Sequence, residues 1–104
     1  MEIYRVMIDD PAAADLDGIF DYIANDLKEP IIAERICNSI EKAARSLAQN
    51  PMRHAVVPDE PYASLGVRPL PVENYTVYYI VDEQTKAVHI LRVLYNRREW
   101  QNLL

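Results

Sequence analysis

Tyr95, Arg97, Arg98, Glu99 and Trp100 crowd a phenol, two guanidinium groups, a carboxylate and an indole into six consecutive positions near the end of the chain. An arginine fork matches the paired oxygens of a phosphate or carboxylate, and the two rings offer flat faces to a base or a partner protein. Arg68 and Arg92 precede them on segments with strand character, so topology decides whether they join the cluster. A purely structural reading fits the same residues: Arg97 and Arg98 pair with surface carboxylates, and Trp100 and Leu103 tuck a terminal turn onto a sheet. Arg92 lies in mid-strand at the parity of Val88, Ile90 and Leu94, so its head needs a counter-charge or water.

Other chemistry is not signalled. His54 and His89 are far apart and no ligand spacing surrounds either, so no metal site is expected. The chain has no nucleophile elbow and no glycine-rich phosphate loop, and no cofactor is expected. Cys37 falls in an apolar-periodic segment with nothing beside it to lower its pKa, and reads as an inert, buried thiol.

The elements that must position the cluster follow from periodicity. Residues 3–8 read as a short strand. Asp10-Pro11 supplies an N-cap and a first-turn proline. Leu16, Ile19, Phe20, Ile23 and Leu27 then mark one buried helix face, and Ile32, Ile36, Ile40, Ala43 and Leu47 a second, which predicts helices near 11–28 and 31–49. Prolines at 51, 58 and 61 make 51–66 an ordered surface loop. Residues 67–72 form a strand whose prolines, Pro69 and Pro71, share one parity, which assigns it to a sheet edge. The runs 75–81 and 87–95 flank the polar stretch 82–86 as strand, turn and strand, with 75–81 central and Tyr78 and Tyr79 marking a partly wet face. The architecture expected is α+β, in the order β-α-α-β-β-β, with a helical hairpin on one face of a four-stranded, mainly antiparallel sheet. Leu16, Ile19, Phe20, Ile23, Ile36, Ile40, Leu47, Val77, Ile90 and Val93 are its expected core.

With 104 residues, half of them hydrophobic and only two glycines, one domain spanning 1–104 is expected. No stretch approaches the ~20 apolar residues of a membrane span, and the N-terminus lacks a signal-peptide pattern. A single cysteine excludes an internal disulfide, which fits a cytoplasmic protein. Charge is unevenly divided. Residues 1–66 carry twelve acidic and six basic side chains, residues 67–104 four acidic and five basic ones. The acidic part repels nucleic acid, so any phosphate contact falls to the C-terminal part.

The C-terminal hairpin carries a resemblance. Tyr75, Val77, Tyr79, Val81 and Asp82, followed by Val88, Ile90, Arg92-Val93-Leu94-Tyr95 and Arg97-Arg98-Glu99, resemble the closing hairpin of the RelE/ParE superfamily of bacterial toxins. The superfamily has the same order of elements, so the likeness extends over nearly the whole chain. It implies the toxin of a type II toxin–antitoxin module of the plasmid-stabilisation kind, a growth inhibitor neutralised by an antitoxin protein that alone would link it to DNA. Arg97, Arg98, Trp100 and Leu103 are then the expected partner-binding residues.

The resemblance leaves the target open. Superfamily members that cut mRNA on the ribosome carry an arginine after the first hairpin tyrosine, where this chain has Thr76. Metal-free RNA cleavage must activate the 2′-OH, stabilise the pentacoordinate charge and protonate the leaving oxygen. Arg68, Arg97 and Arg98 are candidates for the second task and Tyr95, Glu99 or His89 for the others, because an indole at position 100 has no acid–base role. The string 93–99 is closer to the ParE branch, which poisons DNA gyrase without breaking bonds itself. A third reading is a toxin relic that binds its antitoxin and poisons nothing.

Overall fold

A computed structural model describes residues 2–96 and 99–104. β1 (Arg5–Ile8) leads into α1 (Asp10–Asp21), which continues as a π-helical turn over Tyr22–Asp26. α2 spans Pro30–Arg45, followed by β2 (Arg68–Val72), β3 (Tyr75–Asp82) and β4 (Ala87–Tyr95). Short 3₁₀ turns cover Ser46–Ala48, Pro51–Arg53 and Trp100–Asn102. This is the expected α+β order, with the sheet running β1-β4-β3-β2. β1 pairs with β4 in parallel and the other two pairs are antiparallel.

The proline argument holds. Among the described residues β2 pairs with β3 alone, so its other side faces no strand and the missing N–H groups of Pro69 and Pro71 are tolerated there. Asp9 rather than Asp10 occupies the N-cap of α1, without a capping bond from its side chain. That carboxylate lies 3.2 Å from His89 Nδ1 instead, a cross-element contact that no local pattern encodes.

Two apolar clusters sandwich the sheet. On the helical face, Ala12, Ile40, Ala44 and Leu47 meet Tyr4, Leu70, Val77, Tyr79, Val88, Ile90 and Val93. On the other face, Val57 and Val67 pack with Tyr78 and Leu94, beside the partly buried Tyr62, Trp100, Leu103 and Leu104. The 51–66 segment thus covers sheet as well as meeting solvent, pinned by a Val57 N–H bond to the Val67 carbonyl. The partly wet face expected at Tyr78 and Tyr79 is absent: both rings are buried, one in each cluster.

Two irregularities explain the remaining departures. In β4, Arg92 pairs with Tyr78 and Ile90 with Tyr79, leaving Leu91 bulged. A bulge shifts side-chain parity by one, so Ile90 and Val93 share the helical face while Leu94 joins the opposite cluster. The same-parity grouping of Arg92 with Val88 and Ile90 therefore fails, while Leu94 keeps the parity of Arg92. In the helical hairpin, the Leu27 N–H reaches the Tyr22 carbonyl, and the wider turn breaks the 3.6-residue spacing. Leu27, expected on the buried stripe, is 51% exposed. Phe20 is 39% exposed as well, turned toward a shallow depression beside Ile8, Leu16 and Cys37. The other expected core residues are buried or packed against the core.

Candidate functional site

The hairpin tip overhangs the sheet. Ile23 is buried, but Tyr22, Leu27, Ile31 and Ile32 beside it are exposed, Ile31 by 83%. Tyr22, Leu27 and Ile32 stand at the mouth of a groove of about 860 Å³ between the hairpin and the ends of β3 and β4. Ile19, Ile23, Ile36, Tyr75 and Val93 line its apolar walls, and Asp15, Glu29 and Asn74 are its polar lining residues. Tyr95, 39% exposed, lines it too and meets Tyr75 edge-on at 5.5 Å between ring centroids. Burial, followed by the neighbouring Cys37, Tyr95 and Tyr22, raises the pKa of the Tyr75 phenol. A concave apolar wall with an uncovered apolar lip suits the side of a partner helix or strand.

The arginines are dispersed. Arg68 pairs across the sheet with Tyr79, whereas Tyr95 pairs with Tyr75, four residues away along β3, about 13 Å at a rise of ~3.3 Å per residue. Arg68 is also engaged: its guanidinium donates to the carbonyls of His54 and Met52 and ties down the 51–54 turn. Burial, then the charge of Arg53, lowers the His54 pKa. Thr76, at the position of the ribonuclease arginine, is buried and donates a 2.6 Å hydrogen bond to Asn96 Oδ1.

Arg92 has the counter-charge its position requires. Its Nε and Nη2 meet the two carboxylate oxygens of Asp15, on α1, at 2.7 and 2.8 Å. That paired contact raises the arginine pKa further. Sequence reading found the need for this partner but not the partner, because 77 residues separate the two.

The terminal turn lies on the sheet. Trp100 stacks on Tyr78, centroids 5.0 Å apart and planes at 20°, and meets Tyr62 at 5.3 Å. The Tyr62 hydroxyl donates to the Gln101 carbonyl. Glu99 is exposed, its carboxylate accepting from Asn102. Trp100 and Leu103 are only partly buried, so they combine packing with accessible surface. Arg97 and Arg98, expected at the centre of this corner, lie outside the described residues. Cys37 is half-buried, its pKa raised by burial and then by Asp17 and Glu41, in keeping with an inert thiol. Among the described residues no group of three His, Cys, Asp or Glu side chains is placed to hold a metal ion, and no helix is long and apolar enough to cross a membrane.

A family model described as the ParE toxin of the type II toxin–antitoxin system parDE matches residues 6–100. A chain from the chromosomal ParDE system of P. aeruginosa superposes with a TM-score of 0.73 at 29% identity, over 89% of this chain and 96% of that one. A chain of the RelBE2 toxin–antitoxin complex of Mycobacterium tuberculosis gives a TM-score of 0.62 at 23% identity, over 89% and 98%, a likeness of fold. No curated protein matches.

Proposed function

Because this chain belongs to the ParE toxin family of type II toxin–antitoxin systems, we propose that it arrests growth by binding DNA gyrase in the cytoplasm, and that its antitoxin silences it from the groove. One observation supports the reading: an apolar-walled groove of about 860 Å³ stands open, while Arg68, a candidate for stabilising charge in RNA cleavage, is engaged far from Tyr95. Arg68 bonds loop carbonyls, Thr76 replaces an arginine, and Tyr95 stands about four residues of strand from Arg68. Gyrase poisoning by surface binding needs no acid–base pair. An antitoxin segment with apolar anchors would cover Tyr22, Leu27, Ile31 and Ile32, and acidic residues on it would meet Arg97 and Arg98. Contact with operator DNA would then come through the antitoxin.

Induction of the chain in cells, with separate readouts for DNA damage and translation, tests the target. Filamentation and an SOS response are expected, and the purified chain should inhibit gyrase supercoiling. Rapid translation arrest with cut mRNA overturns the gyrase reading in favour of a ribosome-dependent ribonuclease. Unhindered growth overturns toxicity itself and leaves an antitoxin-binding relic.

A further inference from the structure

β4 outruns its parallel neighbour. The pairing with β1 ends at Ile8 and Ile90, and the Asp9 N–H closes it on the Ile90 carbonyl. Beyond that point α1, not a strand, runs beside β4. The Val93 N–H would face no ladder partner there, and the Asp15 carboxylate accepts it at 2.9 Å. Asp15 therefore takes three hydrogen bonds, two from the Arg92 fork and one from Val93, and both Asp15 and Val93 line the groove.

Arg92 has one further bond. Its Nη1 donates to the Leu103 carbonyl in the terminal turn. Its cross-strand neighbour is Tyr78, the ring on which Trp100 stacks. The turn is thus held from both sides of one ladder pair, by the Arg92 guanidinium and by the Tyr78 ring. The Leu91 bulge sits beside this pair and resets the parity that leaves the fork reaching Asp15 and Leu103.

We propose that Asp15 and Arg92 are positioning residues that couple the groove to the terminal turn, so that filling the groove changes how residues 99–104 seat on the sheet. This extends the toxin–antitoxin reading by giving the antitoxin a route to the C-terminal corner other than covering it. A segment wedged against Asp15 competes for its oxygens, loosens the fork and frees the Leu103 carbonyl.

Trp100 is the sole tryptophan and lies inside the turn, so its fluorescence reports the seating directly. Asp15→Asn and Arg92→Lys should each red-shift its emission and increase acrylamide quenching, with the far-UV circular dichroism of a folded chain. Asp17→Asn, on the same helix but outside the groove lining, should do neither. Gly18→Phe provides an occupant within the chain, since a Cβ there meets nothing within 4 Å and the residue lines the groove. It should shift the Trp100 emission in the wild-type background and add nothing in the Asp15→Asn background. Unchanged emission in both folded Asp15→Asn and Arg92→Lys overturns the proposal, as does a Gly18→Phe chain indistinguishable from wild type. These measurements use the isolated chain, so loss of the gyrase or antitoxin reading would appear in the cell assays and leave them unaffected.

Discussion

The Tyr79 hydroxyl donates a 2.6 Å hydrogen bond to the carbonyl of Pro51, in the buried interior and 28 residues away in sequence. Next to it on β2, Arg68 holds the His54 carbonyl of the same turn. Together they clamp the segment that leaves the helices and crosses to the second sheet face. Tyr79→Phe keeps the ring and strands a buried carbonyl, so it should cost about 1–3 kcal/mol in urea unfolding. A loss near zero would mean that water replaces the hydroxyl.

Alkaline unfolding follows from the same burial. Tyr75, Tyr78 and Tyr79 all have pKa values raised by burial above the ordinary value of about 10. A group whose folded pKa exceeds its unfolded one contributes stability that is complete below the unfolded value and lost as pH rises through the folded one. Thermal stability should therefore begin to fall above about pH 10 on account of these phenols. Their phenolate absorbance should appear together with loss of circular dichroism. Ionisation of all seven tyrosines near the ordinary value, with the fold intact, would contradict this.

Ile40 and Phe20 provide a contrast between two apolar residues of the helical pair. Ile40 is fully buried in the helical-face cluster, so Ile40→Ala should cost roughly 2–5 kcal/mol. Phe20→Ala should cost much less, since the ring already meets solvent. Equal losses in chemical denaturation would show that the depression around Phe20 closes in solution.

The hairpin tip should matter for binding and not for folding. Leu27→Asp combined with Ile32→Asp places carboxylates on the exposed lip of the groove. Thermal stability should stay close to wild type while antitoxin affinity, measured by calorimetry, falls by at least about tenfold, or ~1.4 kcal/mol. An unchanged affinity would move the antitoxin off the groove.

We assign the C-terminal corner to the toxic target as well as to the antitoxin, so Arg97→Ala with Arg98→Ala should weaken the antitoxin complex and reduce growth inhibition together. Co-purification yield and a plating assay measure the two effects. A double mutant that remains fully toxic and binds its antitoxin as tightly as wild type would leave the corner with a packing role alone.

Local spacing alone specified the order of elements, the edge position of β2 and the central position of β3. Each rests on near neighbours: alternation at period two, apolar recurrence near 3.6, and two prolines of one parity. The C-terminal hairpin even carried the family likeness, because its residues are contiguous. The site was less legible. The demand of Arg92 for a counter-charge was visible from its mid-strand position, but Asp15 lies 77 residues away and its role depends on α1 running where β1 stops. The π-turn that exposes Leu27 and the bulge that brings Ile90 and Val93 to one face each insert a single residue out of phase, which periodicity reads straight through. The helical stripes announced a buried face, yet the sheet does not extend far enough to cover the hairpin tip. Whether an apolar stripe becomes core or binding surface depends on what lies opposite it, and only the tertiary structure decides that.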